Sequence, residues 1–429
     1  MRSETRPLGD FVSLVSGNTP SKANAAYWGG ATPWVSAKDM GDFWIEDAED
    51  HLTPLGVKMA SRLVPAGTVL ILVRGMTLHK RVPISRVAKS ATFNQDVKAV
   101  LPKNGLSTRF LPYLLVGNHD RLHERVDSAG HGTGRLNTDA ILSLPVYVPP
   151  KTEQEGIADL GGEIDDRLRL LRQTNATLES IAQALFKSWF IDFDPVRAKA
   201  EGREPEGMDA ETAALFPSEF EESALGKIPK GWTVRSLDSF ATYLNGLALQ
   251  KYPPESAEEY LPVIKIAQLR SGHTNGADKA SARLKPEYIV RDGDVLFSWS
   301  GSLEVELWCG GDGALNQHLF KVTSCEVPKW FYYLATKHFL SAFRDIAAHK
   351  ATTMGHIQRG HLAEARVAMP APEVLEELSP LMGPLLERRV NGALQARELA
   401  AIRDSLLPRI ISGKLPVKEA RDQIDEALQ

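Results

Sequence analysis

An internal repeat runs through nearly the whole chain of 429 residues and constrains its fold more than any other feature. Leu8-Gly-Asp-Phe11 recurs as Leu237-Asp-Ser-Phe240 after a shift of 229 residues, and Asn94-Gln95 recurs as Asn316-Gln317 after a shift of 222. Across positions 157–185 the shift stays at 221. A repeat that keeps its order while the offset drifts so little indicates a duplicated architecture. We therefore predict two copies of one structural plan.

Each copy has the same order of elements. About 140 residues of short apolar runs come first, separated by Gly and Pro, a pattern typical of strands joined by turns. The runs at 68–73 and 294–299 are continuous enough for buried strands. Pro-rich stops at 148–151 and 369–372 then precede a long helical segment in each copy.

The two long segments carry apolar residues at every seventh position, a spacing that favours coiled coils. One such helix can also lie on the surface of a core, but two of them, one closing each copy, are expected to pair with each other. Gly392 is the weak point of the second segment. The heptad positions are Ile157, Ile164, Leu171, Leu178 and Leu185 in the first segment and Leu378, Leu385, Leu399 and Leu406 in the second.

These patterns divide the chain into segments of different character. The stretch between the copies is polar and rich in turn formers, so we predict a linker or an extended surface segment there. The expected boundaries are 1–150 and 231–371 for the two globular domains, 151–193 and 372–413 for the long helices, 194–230 for the polar linker and 414–429 for a C-terminal tail.

Composition excludes several classes of protein. With 43% hydrophobic and 24% charged residues, the chain is neither disordered nor of low complexity. Cys309 and Cys325 are too few for a disulfide scaffold or a four-thiolate zinc site, which fits a reducing cytoplasm. We see no signal peptide and no run of about 18 apolar residues, so we expect a cytoplasmic protein without a membrane span.

The net charge of −4 hides a strong segregation of charge. Residues 56–135 contain 13 Lys and Arg against 4 Asp and Glu, a balance of +9. Residues 201–222 contain 8 acidic residues and one Arg, a balance of −7. A basic lobe of this kind is compatible with a surface that faces DNA, and chance clustering on a large surface is the alternative.

Catalytic motifs are missing from the sequence. It contains neither a G-x-x-x-x-G-K-[ST] phosphate loop nor the [Asp/Asn]-Pro-Pro-aromatic loop of a DNA amino-methyltransferase. His119 and His123 have the spacing of a helical zinc pair, but Asp120 stands where a zinc protease needs Glu. We expect these histidines to face solvent or phosphate, and we predict no catalytic residue, metal or cofactor in this chain.

Basic and amide residues lie beside the glycine turns of both copies. Arg and Lys can contact phosphates or guanine, whereas Asn and Gln suit adenine. A surface or turn role is the alternative for each, and for Asn94-Gln95 and Asn316-Gln317 turn capping is at least as well supported as base reading. The candidate DNA-binding residues are Lys38, Arg74, Lys80, Arg81, Asn94, Gln95 and Arg135 in the first copy and Lys265, Gln268, Arg270, Gln317, His318, Lys350 and His356 in the second.

Three strings of sequence are specific enough to suggest a family. The first helical segment ends in Leu185-Phe-Lys-Ser-Trp-Phe-Ile-Asp-Phe-Asp-Pro-Val-Arg197, and the matching place in the second copy reads Leu406-Leu-Pro-Arg-Ile-Ile-Ser-Gly-Lys-Leu415. Ile228-Pro-Lys-Gly-Trp232 opens the second globular domain. In these strings, and in the order of both halves, the chain resembles the specificity (S) subunit of a Type I restriction-modification system.

The resemblance implies an α+β fold in which two duplicated α/β target-recognition domains are separated by two long helices, paired as an antiparallel coiled coil. Each domain would read one half of a split double-stranded DNA target, and the helices would set the distance between the half-sites. Two methyltransferase subunits and two restriction subunits would join the complex and carry S-adenosylmethionine, ATP and magnesium. Trp189, Phe190 and Phe193 would lie where partners dock, unless they close the coiled coil internally.

Two other interpretations stay open. A structural adaptor with two protein-binding modules on a coiled-coil spacer would bind its partners with little dependence on salt, whereas DNA binding weakens steeply as salt rises. A bifunctional enzyme is disfavoured by the missing methyltransferase and phosphate-loop motifs.

Overall fold

The computed structural model describes residues 5–60, 62–129, 132–349 and 355–427, which fold into two compact units. Unit 1 comprises Met1–Leu168 and Glu398–Gln429, and unit 2 comprises Arg169–Arg397. Each unit therefore contains one globular copy and a part of both long helical segments. Within the described ranges, no helix is long and apolar enough to cross a membrane.

Short strands and short helices form the globular part of unit 1, and a long helix follows them. The strands are β1 (Arg6–Pro7), β2 (Val12–Ser16), β3 (Trp28–Val35), β4 (Trp44–Ile45), β5 (Asp50–Leu52), β6 (Val69–Leu72), β7 (Arg74–Gly75), β8 (Ile84–Val87), β9 (Thr92–Phe93), β10 (Val97–Pro102), β11 (Asp127–Ala129), β12 (Thr133–Arg135) and β13 (Pro145–Val146). The helices are α1 (Pro54–Met59), α2 (Leu111–Gly117), α3 (His119–His123), α4 (Thr138–Leu142) and the long α5 (Lys151–Phe190).

The core of unit 1 lies on a five-stranded sheet with the order β2-β10-β6-β8-β4. All four residues of its central strand β6 are buried, as the continuous apolar run predicts. Smaller sheets of order β5-β3-β9, β11-β12-β7 and β1-β13 complete the copy. The pairing of β1 with β13 brings the start of the copy next to the residues that lead into α5.

Unit 2 contains the second copy, preceded by a small helical and hairpin segment. Its strands are β14 (Phe220–Ser223), β15 (Gly226–Pro229), β16 (Thr233–Ser236), β17 (Thr242–Asn245), β18 (Leu261–Ile264), β19 (Lys279–Ala280), β20 (Ile289–Val290), β21 (Val295–Ser298), β22 (Val305–Leu307), β23 (Gly313–Leu315), β24 (Leu319–Thr323) and β25 (Arg366–Met369). Its short helices are α6 (Asp194–Ala200), α7 (Ala210–Ala214), α8 (Leu237–Phe240), α9 (Ile266–Ser271), α10 (Lys329–His338), α11 (Leu340–His349) and α12 (Arg359–Glu364), followed by the long α13 (Pro372–Ile411); α14 (Val417–Ala427) belongs to unit 1.

The sheets of unit 2 repeat those of unit 1. The order β17-β24-β21-β22 matches β2-β10-β6-β8, and the pair β16-β25 matches β1-β13. A parallel pair recurs as well, β3 with β9 in one copy and β18 with β23 in the other. The burial of β21 along its whole length also repeats that of β6.

Individual hydrogen bonds confirm the duplication at the shifts read from the sequence. The amide of Leu136 donates to the Val73 carbonyl at 2.9 Å, and the amide of Ile357 donates to the Trp299 carbonyl at 3.0 Å. The amides of Gly67 and Gly293 likewise donate to Val87 and Trp308, each at 2.7 Å. The two copies therefore share one backbone framework.

The two long helices are antiparallel, as expected. Each has 40 residues, which corresponds to about 60 Å at 1.5 Å per residue. In unit 2, Asn175 of α5 lies beside Gly392 of α13, whereas Glu179, further along α5, lies beside Arg389, earlier in α13. In unit 1, Asp165 of α5 pairs with Arg403 of α13. Asp165 comes before Glu179 in the chain and Arg403 comes after Arg389, which is the order that antiparallel helices require.

The heptad residues lie on the inner side of this pair. Ile157 and Ile164 of α5 and Leu399 and Leu406 of α13 are buried. At Gly392 the two helices approach each other closely, because a Cβ there would lie 2.5 Å from Oδ1 of Asn175. The glycine that interrupts the heptad thus permits a close approach between the two helices.

Segment 194–230 differs from the predicted polar linker. It folds into α6, α7 and the hairpin β14-β15, and several of its apolar side chains are buried in the core of unit 2. Val196 is fully buried, and Phe216 and Ile228 are nearly so. The charged residues around them dominate the composition, but the burial of a few apolar groups stabilises a folded segment.

Candidate nucleic-acid interface

In unit 1, two arginines face each other across neighbouring strands. Strand β7 pairs with β12 so that Arg74 lies opposite Arg135, and both side chains are exposed. Within the described residues, the side chains of Arg74, Arg135 and the nearby exposed Lys80 form no hydrogen bond or ion pair. Like charges directly opposite each other on a sheet are unfavourable, so this surface favours an anion.

The turn beside this pair is fixed by close packing. The His79 ring donates from Nε2 to the carbonyl of Gly132 at 2.6 Å. A Cβ on Gly134 would lie 2.8 Å from the Leu78 Cβ, so the residue in β12 must be small for the strand to reach the turn. Arg74 and Arg135 are far apart in the sequence, and the pairing of β7 with β12 brings them to one surface.

Two other predicted cations of unit 1 have internal partners. Arg81 donates from Nη2 to the carbonyls of Met40 at 3.2 Å and Gly41 at 2.8 Å. Lys38 forms an ion pair with Glu49 at 3.1 Å, and the hydrogen bond and charge of Glu49 raise the pKa of the lysine. These two side chains are held by the protein itself, unlike Arg74 and Arg135.

The asparagine of each Asn-Gln pair caps its own turn. Asn94 and Asn316 are both buried, and their side-chain oxygens accept hydrogen bonds from the amides of Asp96 at 3.1 Å and His318 at 3.2 Å. The exposed Gln95 accepts a hydrogen bond from the Thr19 hydroxyl at 2.6 Å. Both asparagines form the turn-capping hydrogen bond that was the alternative to base reading.

In unit 2, the predicted histidines gather around a tryptophan. The rings of His318 and His356 lie 5.8 Å and 6.4 Å from that of Trp299. Trp299 donates from Nε1 to Oδ1 of Asn245 at 2.9 Å. His318 contacts the Ser300 hydroxyl through Nδ1 at 3.0 Å, and the amide nitrogen of Gln317 is 3.4 Å from its Nε2.

This cluster occupies the place that the arginine pair occupies in unit 1. Ser300 and His356 form an antiparallel bridge, and they are the counterparts of Arg74 and Arg135 at shifts of 226 and 221. One framework thus presents two guanidinium groups in one copy and a hydroxyl, an imidazole and an indole in the other. The candidates from the sequence did not include Trp299 or Asn245. Trp299 could have been found as an aromatic residue directly after a buried strand.

The remaining candidates of unit 2 are separate from this cluster. Lys265 forms an ion pair with Asp278, and its backbone amide donates to Oε1 of Gln268 at 3.3 Å. Arg270 is exposed, and its side chain has no polar partner in the described part of the chain. Lys350 lies outside the described residues.

His119 and His123 are half-buried, and each holds the backbone through one ring nitrogen. Nε2 of His119 accepts the amide hydrogen of Val82 at 3.0 Å, and Nε2 of His123 donates to the Leu78 carbonyl at 2.9 Å. Both rings thereby brace the strand and turn that precede them. Across the described ranges, no group of three or more His, Cys, Asp or Glu side chains is arranged to hold a metal ion.

The aromatic residues at the end of α5 are buried in the core of unit 2. Trp189 packs on Phe216 with ring centres 5.6 Å apart, and Phe190 and Phe193 pack on Trp232 at 5.7 Å and 5.9 Å. At most 8% of any of the three predicted docking residues is exposed. Their side chains therefore close the helix internally, which was the alternative to partner docking.

Comparisons with known proteins agree with the duplicated framework. A family model described as the Type I restriction modification DNA specificity domain matches residues 2–180 and 229–377. The MjaIX specificity subunit of the Type I restriction enzyme from Methanocaldococcus jannaschii is 26% identical over 433 residues, covering 97% of this chain and 94% of the relative. The HindI specificity subunit from Haemophilus influenzae is 26% identical over 379 residues, covering 76% and 80%.

A crystal structure of the S subunit of a Type I restriction-modification system from M. genitalium shares the fold. It matches 95% of this chain and 95% of its own length, with a TM-score of 0.50 at 12% sequence identity. The family model covers both globular copies and more than half of the chain. The chain therefore belongs to the family of Type I restriction-modification DNA specificity proteins.

Proposed function

We propose that this chain is the DNA sequence-specificity subunit of a Type I restriction-modification complex and that each globular copy reads one half of a bipartite target. The observation that carries this proposal is the pair of equivalent backbone positions, the exposed Arg74 with Arg135 in one copy and the buried Ser300 with the exposed His356 in the other. A shared framework with different side chains at equivalent positions suits two half-sites of different sequence. Guanidinium groups favour phosphates and guanine, whereas an imidazole hydrogen-bonds more broadly.

The two long helices set the length of the unread spacer in this proposal. Methyltransferase subunits, two per complex, dock on the helical regions, and two restriction subunits join through them. S-adenosylmethionine, ATP and magnesium are carried by those partners, and the chain itself contributes recognition without catalysis in the cytoplasm. Because Trp189, Phe190 and Phe193 are buried, docking has to use other residues of the helical regions.

Mapping of adenine methylation tests the central claim. The chain is expressed with its methyltransferase partner in a host without other adenine methylation, and the methylated positions of the genome are read. We expect one bipartite motif with two different half-sites. A chain whose residues 8–150 come from a relative should change one half-site and keep the other. Methylation that is absent, or that follows a single continuous motif, would contradict the proposal.

A binding assay separates this function from that of a protein adaptor. The purified chain should bind duplex DNA with an affinity that falls steeply as salt rises, because neutralised phosphates release counterions. The same preparation should transfer no methyl group from labelled S-adenosylmethionine to DNA. Turnover by the isolated chain, or salt-independent binding to protein in place of DNA, would count against the specificity-subunit assignment.

A further inference from the structure

A buried ionic cluster joins the two long helices in unit 1. The Asp165 carboxylate on α5 accepts hydrogen bonds from Nη1 of Arg403 on α13 and from the Tyr113 hydroxyl, each at 2.9 Å. Only 3% of the Asp165 side chain is exposed. A charge removed so far from water is tolerated when an opposite charge and hydrogen bonds replace the lost hydration.

Unit 2 contains a second cluster of similar composition. The Glu179 carboxylate on α5 lies 2.9 Å from Nε of Arg389 on α13 and accepts a hydrogen bond from the Tyr333 hydroxyl at 2.8 Å. Nζ of Lys337 lies 3.1 Å from the same carboxylate. Burial raises the pKa of Glu179, but Arg389 and Lys337 outweigh burial, so the pKa lies below its ordinary value. The group is therefore charged at neutral pH.

The signs of these charges are sorted by helix. Both acids belong to α5 and both arginines belong to α13, although the two helices are copies of each other. At the shift of 221, the arginines have uncharged counterparts in α5, which are Ala182 for Arg403 and Leu168 for Arg389. The acids likewise have uncharged counterparts in α13, which are Leu386 for Asp165 and Ala400 for Glu179.

The distribution of acids on α5 and arginines on α13 bears on which helix each of them can pair with. In a pair of two α5 helices with the same antiparallel register, Asp165 would lie opposite Ala182, and Glu179 would lie opposite Leu168. Asp165 would be buried without an opposite charge, which is strongly unfavourable, and Glu179 would keep only Lys337. In a pair of two α13 helices, Arg403 and Arg389 would lose their carboxylate partners on α5 and keep only Asp404 and Glu306. We propose that this sorting of charge makes α5 accept α13 and reject a second copy of itself.

The ionic cluster of unit 1 is better suited to selection than to stability. Burial raises the pKa of Asp165, and Arg403 reverses this effect only in part, so the pKa stays above its ordinary value. The ionised form of Asp165 is therefore less favourable in the folded state than in the unfolded chain. A buried polar residue that reduces stability while specifying the helix partner is an established device in coiled coils.

Co-expression of two full-length variants tests the proposal. One chain carries Asp165→Arg and an affinity tag, and the other carries Arg403→Asp without a tag. Each variant alone sets like charges against each other in unit 1, and its unfolding temperature should fall by about 5 °C or more. Together, the altered α5 of one chain can pair with the altered α13 of the other. We expect the tag to retain the second chain at 1:1, roughly tenfold more than two wild-type chains retain each other.

Two controls make the result decisive. Asp165→Arg and Arg403→Asp combined in one chain should recover the wild-type unfolding temperature. The exposed ion pair of Glu163 with Arg421 of α14, at 2.9 Å, serves as a control in which the charges are reversed in the same way. Co-expressed Glu163→Arg and Arg421→Glu chains should not retain each other, because an exposed pair contributes little. The proposal is overturned if the combined variant fails to recover, or if the test pair is retained no better than the wild-type or Glu163/Arg421 pairs.

Discussion

Arg74 and Arg135 lie opposite each other without an acidic partner among the described residues. Asp127, the neighbour of Arg135 on β11, instead accepts a hydrogen bond from Nδ2 of Asn137 at 2.9 Å. Two neighbouring guanidinium groups left without internal partners suit two adjacent phosphate oxygens or the edge of a base. Arg109, in the same basic lobe, is instead paired with Glu155 and Asp159.

We predict that Arg74→Ala and Arg135→Ala each weaken binding to duplex DNA of any sequence. Each should lower the slope of log affinity against log salt by about one, because one phosphate contact is lost. Titrations at several salt concentrations measure the slope, with Arg109→Ala as the control that leaves it unchanged. A constant slope with lost discrimination at one base pair would instead show that the arginine reads a base.

Gly17 and Gly246 hold equivalent close approaches in the two copies. A Cβ would lie 2.1 Å from the Phe93 carbonyl oxygen at Gly17 and 2.3 Å from the Asn316 carbonyl oxygen at Gly246. These neighbours are backbone atoms that cannot rotate away. We predict that Gly17→Ala and Gly246→Ala each reduce the stability of their own unit by about 1–3 kcal/mol, the usual effect of overpacking.

Denaturant titration of the two variants measures this loss. Gly41→Ala provides the matched control, because no atom lies within 4 Å of a Cβ built there. It should unfold like the wild type. An equal loss from all three substitutions would show that the close approach at Gly17 and Gly246 is not the cause.

Single residues were the hardest scale to predict from the sequence. Arg74, Arg81 and Arg135 look alike in composition, and only the folded backbone shows that Arg81 serves the carbonyls of Met40 and Gly41. For Asn94 the local chemistry predicted a turn-capping role as one of two alternatives, and the side chain bonds to the Asp96 amide. Trp299 escaped notice because a half-buried tryptophan after a strand reads as core until its neighbours are known.

At the scale of elements, the ionic cluster of unit 1 allows two kinds of substitution to be compared. One removes a single partner of the buried ion pair, and the other replaces all partners with apolar residues. We predict that Arg403→Met alone lowers stability by about 3–5 kcal/mol, because Asp165 is left buried without its counter-ion. Tyr113→Phe, Asp165→Leu and Arg403→Met combined should be as stable as the wild type or more stable. Chemical unfolding followed by circular dichroism measures both.

The pH dependence of Arg403→Met gives an independent check. Without the guanidinium, the already raised pKa of Asp165 rises further, so the folded state binds a proton that the unfolded state has released. The stability gained from that proton is present below the ordinary pKa of aspartate and is lost as pH rises through the raised value. The difference in stability between Arg403→Met and the wild type should therefore become smaller as the pH is lowered. A difference that does not change with pH would refute the electrostatic explanation.

Helices and strands were largely predictable because their patterns are periodic. The heptad spacing that includes Ile157 and Ile164 predicted the length of α5 and its buried side. The apolar run of β6 predicted a buried strand. The fold of 194–230 was not predictable, because Val196 and Phe216 are isolated among charges and carry no period. Their burial depends on contacts with residues far away in the sequence.

For the whole molecule, the length of the helices should decide how far apart the two half-sites are read. We predict that four residues inserted after Leu168 in α5, and four inserted after Arg397 in α13, lengthen the unread spacer by one or two base pairs. Four residues add about 6 Å and almost one full turn, so the apolar seam stays nearly in phase. Two base pairs of duplex span a similar length, at about 3.4 Å each.

Methylation mapping of the inserted variant reads the spacer directly. Both half-sites should be unchanged, because no recognition residue moves within its own copy. Insertion of two residues in each helix is the control, since it rotates the seam out of phase and should abolish activity. An active four-residue variant with the original spacer would show that something other than these helices measures the distance.

The aromatic cluster at the end of α5 also determines where genes for such chains can recombine. Trp189, Phe190 and Phe193 pack against Phe216 and Trp232, so the last turns of the first repeat belong to the core of the second. A crossover near residue 200, the boundary between the repeats in sequence, would combine half of this core from one parent with half from another. A crossover in the middle of α5 exchanges the first globular copy and leaves the cluster intact. If each copy reads one half-site, as proposed, new target specificities can then arise by recombination without a newly evolved core.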